Sequence, residues 1–197
     1  MGDSMKHIVL IIFIIFIVPQ VVLAGNFTKY KNVRQYDIYF HKYSKRYFGP
    51  AFDWIHMKSQ AIAESNLNDN AKSAVGAKGL MQVMPKTYEE IVRHNKEIKG
   101  SVYQPEWNIA AGIWYDRDIW KQWSPKKTFQ DSLDFMFSSY NAGRGHIINA
   151  QRKCNGDNYD PNSWACIEAN LVQITGRHSK ETLGYVKRIK EITRDIK

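Results

Sequence analysis

Apolar positions in this chain recur three and four residues apart. No segment alternates apolar with polar over several residues as a half-buried strand would. Phe40, Tyr43 and Tyr47 keep helical spacing in a segment closed by Gly49-Pro50, which predicts an amphipathic helix within residues 25–50. Residues 52–65 predict a second helix. Phe52, Ile55 and Ile62 line one face and Trp54, Met57, Ala61 and Glu64 fall near another, so this helix is expected to be buried on both sides. Three Asn, one Asp and two Gly make 66–79 a loop. A helix is expected from about Pro85, with Thr87-x-x-Glu90 as a candidate capping box. Further helices are predicted over 108–115 (Asn108 as N-cap), 131–140, 146–153, 164–171 and 180–195. Breaks fall at 100–105, at Ser124-Pro125, at 141–145 and in the polar stretch 155–163. Ala111 and Gly112 permit close helix packing. With no repeat and no long linker, the pattern predicts a mainly α fold in one domain.

The N-terminus departs from this pattern. Ile8 to Val18 is continuously apolar, Pro19 breaks it, and Val22-Leu23-Ala24 places small residues where a signal peptidase cuts. Residues 1–24 therefore read as a secretory signal peptide, with an uncleaved membrane anchor as the alternative. No Cys follows Ala24 closely enough to suggest a lipid anchor, and Met5-Lys6 offers a more usual start than Met1-Gly2-Asp3.

Composition refines the picture in three places. A chain of 197 residues that is 44% hydrophobic and 13% aromatic can build a real core, which excludes a disordered class. The net charge of +9 is unchanged by removing residues 1–24 and favours anionic partners such as a cell-wall polymer. The Lys and Arg residues are scattered and carry no nucleic-acid motif. Cys154 and Cys166 are the sole cysteines, and export would favour their pairing, worth roughly 3 kcal/mol; two free thiols are the alternative. The six His residues lack metal-ligand spacing, so no metal or other cofactor is expected.

Candidate chemistry concentrates at Glu64. It closes an apolar helix and precedes a Gly-rich polar loop that can bring backbone amides to a ligand. The negative end of the helix and burial beside Ile62 and Leu67 both disfavour the carboxylate. A carboxyl kept protonated near neutrality is what a general acid needs to protonate the leaving oxygen of a glycosidic bond.

Residues 64–85 read Glu-Ser-Asn-Leu-Asn-Asp-Asn-Ala-Lys-Ser-Ala-Val-Gly-Ala-Lys-Gly-Leu-Met-Gln-Val-Met-Pro. This run resembles the signature of the soluble lytic transglycosylase (SLT) domain, the lysozyme-like enzymes of glycoside hydrolase family 23. Asn108-Ile109-Ala110-Ala111-Gly112, Tyr140-Asn141-Ala142-Gly143 and Glu181-Thr182-Leu183-Gly184-Tyr185-Val186 extend the resemblance, which covers about residues 52–190. It implies a lysozyme-like helical catalytic domain over 51–197; residues 25–50, read from their own spacing as a helical extension, lie outside it. It implies Glu64 as catalytic acid and then base, with the Tyr140 hydroxyl directed at it. Ser73, Met81, Gln82, Asn141, Ala142, Glu181 and Tyr185 are implied to face the glycan. Ser138-Ser139 and Arg144 depart from the commoner residues of the pattern, and Arg144 could meet an anionic peptide stem or simply be solvated.

The resemblance implies a peptidoglycan lytic transglycosylase that cleaves the β-1,4 bond between N-acetylmuramic acid and N-acetylglucosamine and leaves a 1,6-anhydro end. Its implied setting is the periplasm or cell envelope. The implied partner is the glycan strand, with an envelope machine as a further expected partner and membrane contact only if the N-terminal segment stays uncleaved. One alternative is a muramidase using water, which the lack of an evident second carboxylate disfavours; Asp69 stands where the pattern requires no acid. The other is a non-catalytic glycan-binding module, which the presence of Glu64 and Tyr140 disfavours.

Overall fold

The computed structural model describes residues 26–154 and 159–197. The segment read as a signal peptide, 1–24, and part of the loop between the cysteines lie outside the described residues. Among the described residues eight α-helices follow in order: α1 (Asp37–Phe48), α2 (Ile55–Ser65), α3 (Pro85–His94), α4 (Pro105–Trp123), α5 (Phe129–Ala142), α6 (Arg144–Lys153), α7 (Trp164–Thr175) and α8 (Ser179–Ile196). Among the described residues there is no β-strand, only two isolated bridges, Lys72 with Lys78 and Lys78 with Val83. The fold is mainly α.

Several helix starts differ from the sequence reading, each for a local reason. Helix α4 begins at Pro105, whose missing N–H costs nothing in a first turn, so Asn108 lies inside the helix and caps nothing. Helix α3 has Met84 as N-cap without a side-chain bond, and the Thr87 hydroxyl is buried without a partner, so the Thr87–Glu90 capping box does not form. Helix α5 starts at Phe129, because the Thr128 hydroxyl accepts from the Asp131 amide at 3.1 Å. Helix α2 starts at Ile55 rather than Phe52, behind the Asp53 carboxylate that accepts from the Ile55 amide at 3.0 Å.

Helix α2 is the central element. It is buried on several sides and packs against α8 and α1, while α5 packs on α4 and α8. The core runs through Phe40, Met57, Ile62, Ile109, Ile113, Phe135, Leu171 and Ile189, so residues of α1 share it with the later helices. Lys58, on the buried side of α2, ion-pairs with Asp37 at 2.8 Å and donates to the Val33 carbonyl at 2.8 Å. At the far side, Cys154 and Cys166 form a disulfide with Cα atoms 5.9 Å apart, joining the end of α6 to the first turn of α7.

Candidate active site

Glu64 is the penultimate residue of α2 and 5% exposed. The chain reverses directly after it. Asn66 caps the helix in the left-handed region (φ 54°) and returns its N–H to the Ile62 carbonyl at 2.9 Å, and Leu67 is left-handed too (φ 59°). Asn tolerates that conformation, while a branched residue such as Leu holds it only because it is buried against the core. The Ser65 hydroxyl donates to the Leu80 carbonyl at 2.9 Å, tying the helix end to the returning loop.

The loop from Asn66 to Met84 is stitched mainly by its own backbone. Gly79 N–H donates to Ala71 O at 2.9 Å, and Lys78 and Val83 exchange both amide bonds at 3.0 Å. Ser73 accepts the Ala77 amide on its hydroxyl at 2.9 Å, closing the turn. Gln82, left-handed at φ 45°, donates to the Gly79 carbonyl at 2.8 Å. Asn108 then anchors the loop from α4. Its amide nitrogen donates to Lys78 O (2.8 Å) and Val102 O (3.0 Å), and its oxygen accepts from Met81 N (2.8 Å). A Cβ at Gly79 would fall 2.7 Å from the Asn108 amide. A Cβ at Gly112 would fall 2.7 Å from Met81, so both glycines are required by close approach.

The tyrosines divide their work differently from the expectation. The hydroxyl that reaches Glu64 belongs to Tyr185 of α8, which donates to Oε1 at 2.5 Å. The Tyr140 hydroxyl instead donates to the Met81 carbonyl at 2.7 Å, fixing the loop, although Tyr140 still feels the Glu64 charge. Asn141 accepts from the Thr182 hydroxyl at 2.9 Å and so joins α5 to α8, with Ala142 half-buried beside it. Glu181, half-buried in the first turn of α8, also acts on Glu64. Arg144 ion-pairs with Asp118 and lies over the Tyr115 ring, so its charge is already matched within the protein.

The electrostatics follow from this enclosure. Burial pushes the Glu64 carboxyl up to about 8; Glu181 pushes in the same direction, and the Tyr185 hydrogen bond opposes both. None of the ion pairs among the described residues involves Glu64. The side chain is therefore a protonated acid at neutral pH. Burial likewise raises Tyr185 and Tyr140 well above the usual phenol range, so both stay hydrogen-bond donors. Sequence reasoning missed Asp116 of α4, which is fully buried and interacts electrostatically with Glu64. One signal was available: Asp116 lies three residues from Ile113 and from Ile119, on the apolar stripe of its helix. Among the described residues, no cluster of three or more His, Cys, Asp or Glu could hold a metal ion.

Known proteins resemble this chain in sequence and fold. The family model described as the Transglycosylase SLT domain matches residues 51–162. The membrane-bound lytic murein transglycosylase F of Aliivibrio fischeri is 32% identical over 127 residues, covering 64% of this chain and 24% of that protein. Its namesake from Vibrio cholerae is 30% identical over 135 residues, covering 68% of this chain and 23% of the relative. The crystal structure of the 70 kDa soluble lytic transglycosylase from Escherichia coli superposes with a TM-score of 0.58 at 29% identity, over 83% of this chain and 24% of that one. The chain thus spans about a quarter of the length of these relatives. With the family model covering more than half of its residues, and a like helical fold around the matched segment, the chain belongs to the transglycosylase SLT domain family.

Proposed function

We propose that this domain is a peptidoglycan lytic transglycosylase that cuts the β-1,4 bond between N-acetylmuramic acid and N-acetylglucosamine. The observation that carries the reading is the Glu64 carboxyl, held protonated by burial and, among the described residues, hydrogen-bonded by the Tyr185 hydroxyl without a cation partner. Glu64 gives its proton to the leaving O4 as the C1–O4 bond breaks. The 2-acetamido carbonyl oxygen of the muramic acid residue attacks C1 and takes the place of an enzymic carboxylate. Glu64, now a base, removes the proton from the C6 hydroxyl, and O6 displaces the acetamido oxygen from C1. The product is a 1,6-anhydro end, no water is consumed, and Glu64 is again protonated. Tyr185 supports both halves by holding Oε1 in place, and Tyr140 supports them by holding the Met81 turn. Ser73, Gln82, Asn141, Ala142 and Glu181 are proposed to border the bound glycan.

The proposed setting is outside the cytoplasm. The apolar segment with its small-residue cleavage pattern supports export, the Cys154–Cys166 disulfide fits an oxidising compartment, and the curated relatives are membrane-bound by name. Among the described residues no helix is long and apolar enough to cross a membrane.

One observation favours a second reading. Glu181 acts on Glu64 through space and could serve as a base for water, which would make the protein a muramidase. Mass spectrometry of the soluble fragments released from purified peptidoglycan separates the two. Anhydro-ended muropeptides are expected; reducing ends would assign hydrolysis, and no release with binding intact would assign a non-catalytic module.

A further inference from the structure

Behind Glu64 lies a carboxyl group that the acid chemistry leaves without a task. Asp116 is fully buried in the middle of α4. Gln60, one helical turn before Glu64 on α2, is also fully buried and donates through Nε2 to Asp116 Oδ1 at 3.3 Å. The remaining oxygens of the same two groups, Asp116 Oδ2 and Gln60 Oε1, are both buried without a hydrogen-bond partner. If Asp116 were a carboxylate, both would be acceptors stranded together. A protonated carboxyl is a donor as well as an acceptor, so a single proton on Oδ2 satisfies both orphans at once.

We propose that Asp116 is a positioning residue that works as a neutral acid. Its Oδ2–H donates to Gln60 Oε1 while Gln60 Nε2–H donates to its Oδ1. The closed acid–amide ring fixes the α2 turn leading to Glu64 without placing a second negative charge beneath the catalytic group. The inference rests on the assignment of Glu64 as the acid.

The surroundings agree. The titratable groups that act on Asp116 or feel it are Glu64 on α2, Tyr115 beside it on α4, Tyr140 on α5 and Tyr185 on α8, and none is a cation. Burial pushes the Asp116 carboxyl well above the usual range, and an ionised Glu64 pushes it further the same way. Asp116 therefore keeps its proton while Glu64 gives one up and takes one back. An anionic Asp116 would instead oppose each ionisation of Glu64.

Two measurements on the full chain test this. The first is the infrared difference between Glu64→Gln and Glu64→Gln/Asp116→Asn at neutral pH, which isolates the Asp116 carboxyl. A lost carbonyl stretch of a protonated acid is expected, and lost carboxylate bands would overturn the proposal. This readout needs no turnover, so its failure is distinct from failure of the Glu64 assignment. The second compares variants. Asp116→Leu strands both polar atoms of Gln60 and should lower kcat on the order of tenfold with KM little changed. Asp116→Asn rebuilds the ring with two amides and should recover kcat to within about threefold of wild type, with the alkaline limb of the pH profile unmoved. Failure of Asn to recover turnover, or a downward move of that limb by about one pH unit, would show that the charge of Asp116 matters rather than its hydrogen-bonded ring.

Discussion

Helix α2 buries Lys58 toward one end and Glu64 at the other, and these two are treated in opposite ways. Lys58, 2% exposed, meets the Asp37 carboxylate at 2.8 Å and the Val33 carbonyl at 2.8 Å. Glu64, 5% exposed, accepts a hydrogen bond from the Tyr185 hydroxyl, and among the described residues no cation pairs with it. A buried charge with a partner is a strut whose removal leaves the other charge stranded. A buried acid denied a counter-charge keeps its proton and is ready to lose it when a better acceptor arrives. The same helix thus anchors α1 at one end and holds the proposed acid at the other.

The most severe way to break this contrast is Glu64→Gln. Release of muropeptides should fall by about 10²–10⁴-fold while binding to sacculi persists. Turnover at the wild-type level would remove Glu64 from the chemistry. The same variant reports on stability. The folded chain holds the Glu64 proton up to about pH 8, whereas the unfolded chain releases it near the ordinary value of 4.5. Stability linked to this group is therefore full below the unfolded pKa and is lost as pH rises toward the folded one. The unfolding free energy of Glu64→Gln should gain on wild type by a few kcal/mol, on the order of the shift itself, between acid and mildly alkaline pH. A gap independent of pH would mean that Glu64 ionises normally.

At the other end of the helix, Asp37→Ala should cost about 3 kcal/mol in urea unfolding and leave the pH profile of turnover in place. Replacing both partners, Asp37→Leu with Lys58→Met, should recover most of that loss. A loss below about 1 kcal/mol would reduce the pair to the worth of a surface contact. The mildest change sharpens the contrast. Tyr185→Phe removes the one bond that favours the Glu64 carboxylate, so the alkaline limb of kcat should move up by about one pH unit. A limb that moves down would contradict the direction assigned to the Tyr185 bond.

What could be read from the chain beforehand follows how local each feature is. The position of Glu64 at a helix end before a Gly-rich loop was legible because the loop composition and the apolar spacing are neighbours in sequence. Asn108 was misread because its residue type suits an N-cap, whereas its side chain is claimed by Met81, Lys78 and Val102. Tertiary partners outcompeted the local role. The exchange between Tyr140 and Tyr185 was invisible for the same reason: motif spacing names both tyrosines but not which hydroxyl turns toward Glu64. Asp116 was hidden more deeply, since its partner Gln60 lies 56 residues away and on another helix.

The bond between Tyr185 and Glu64 joins residues 121 positions apart. A chain synthesised from its N-terminus has its acid, its glycine loop and its anchoring asparagine long before it has the hydroxyl that faces the acid. Helix α8 both covers one side of α2 and supplies that hydroxyl. Until α8 docks, Glu64 is an ordinary, wetter carboxyl that ionises at neutral pH and has no proton to give. The proton that Glu64 holds at neutral pH is thus acquired late in folding, once α8 encloses the carboxyl.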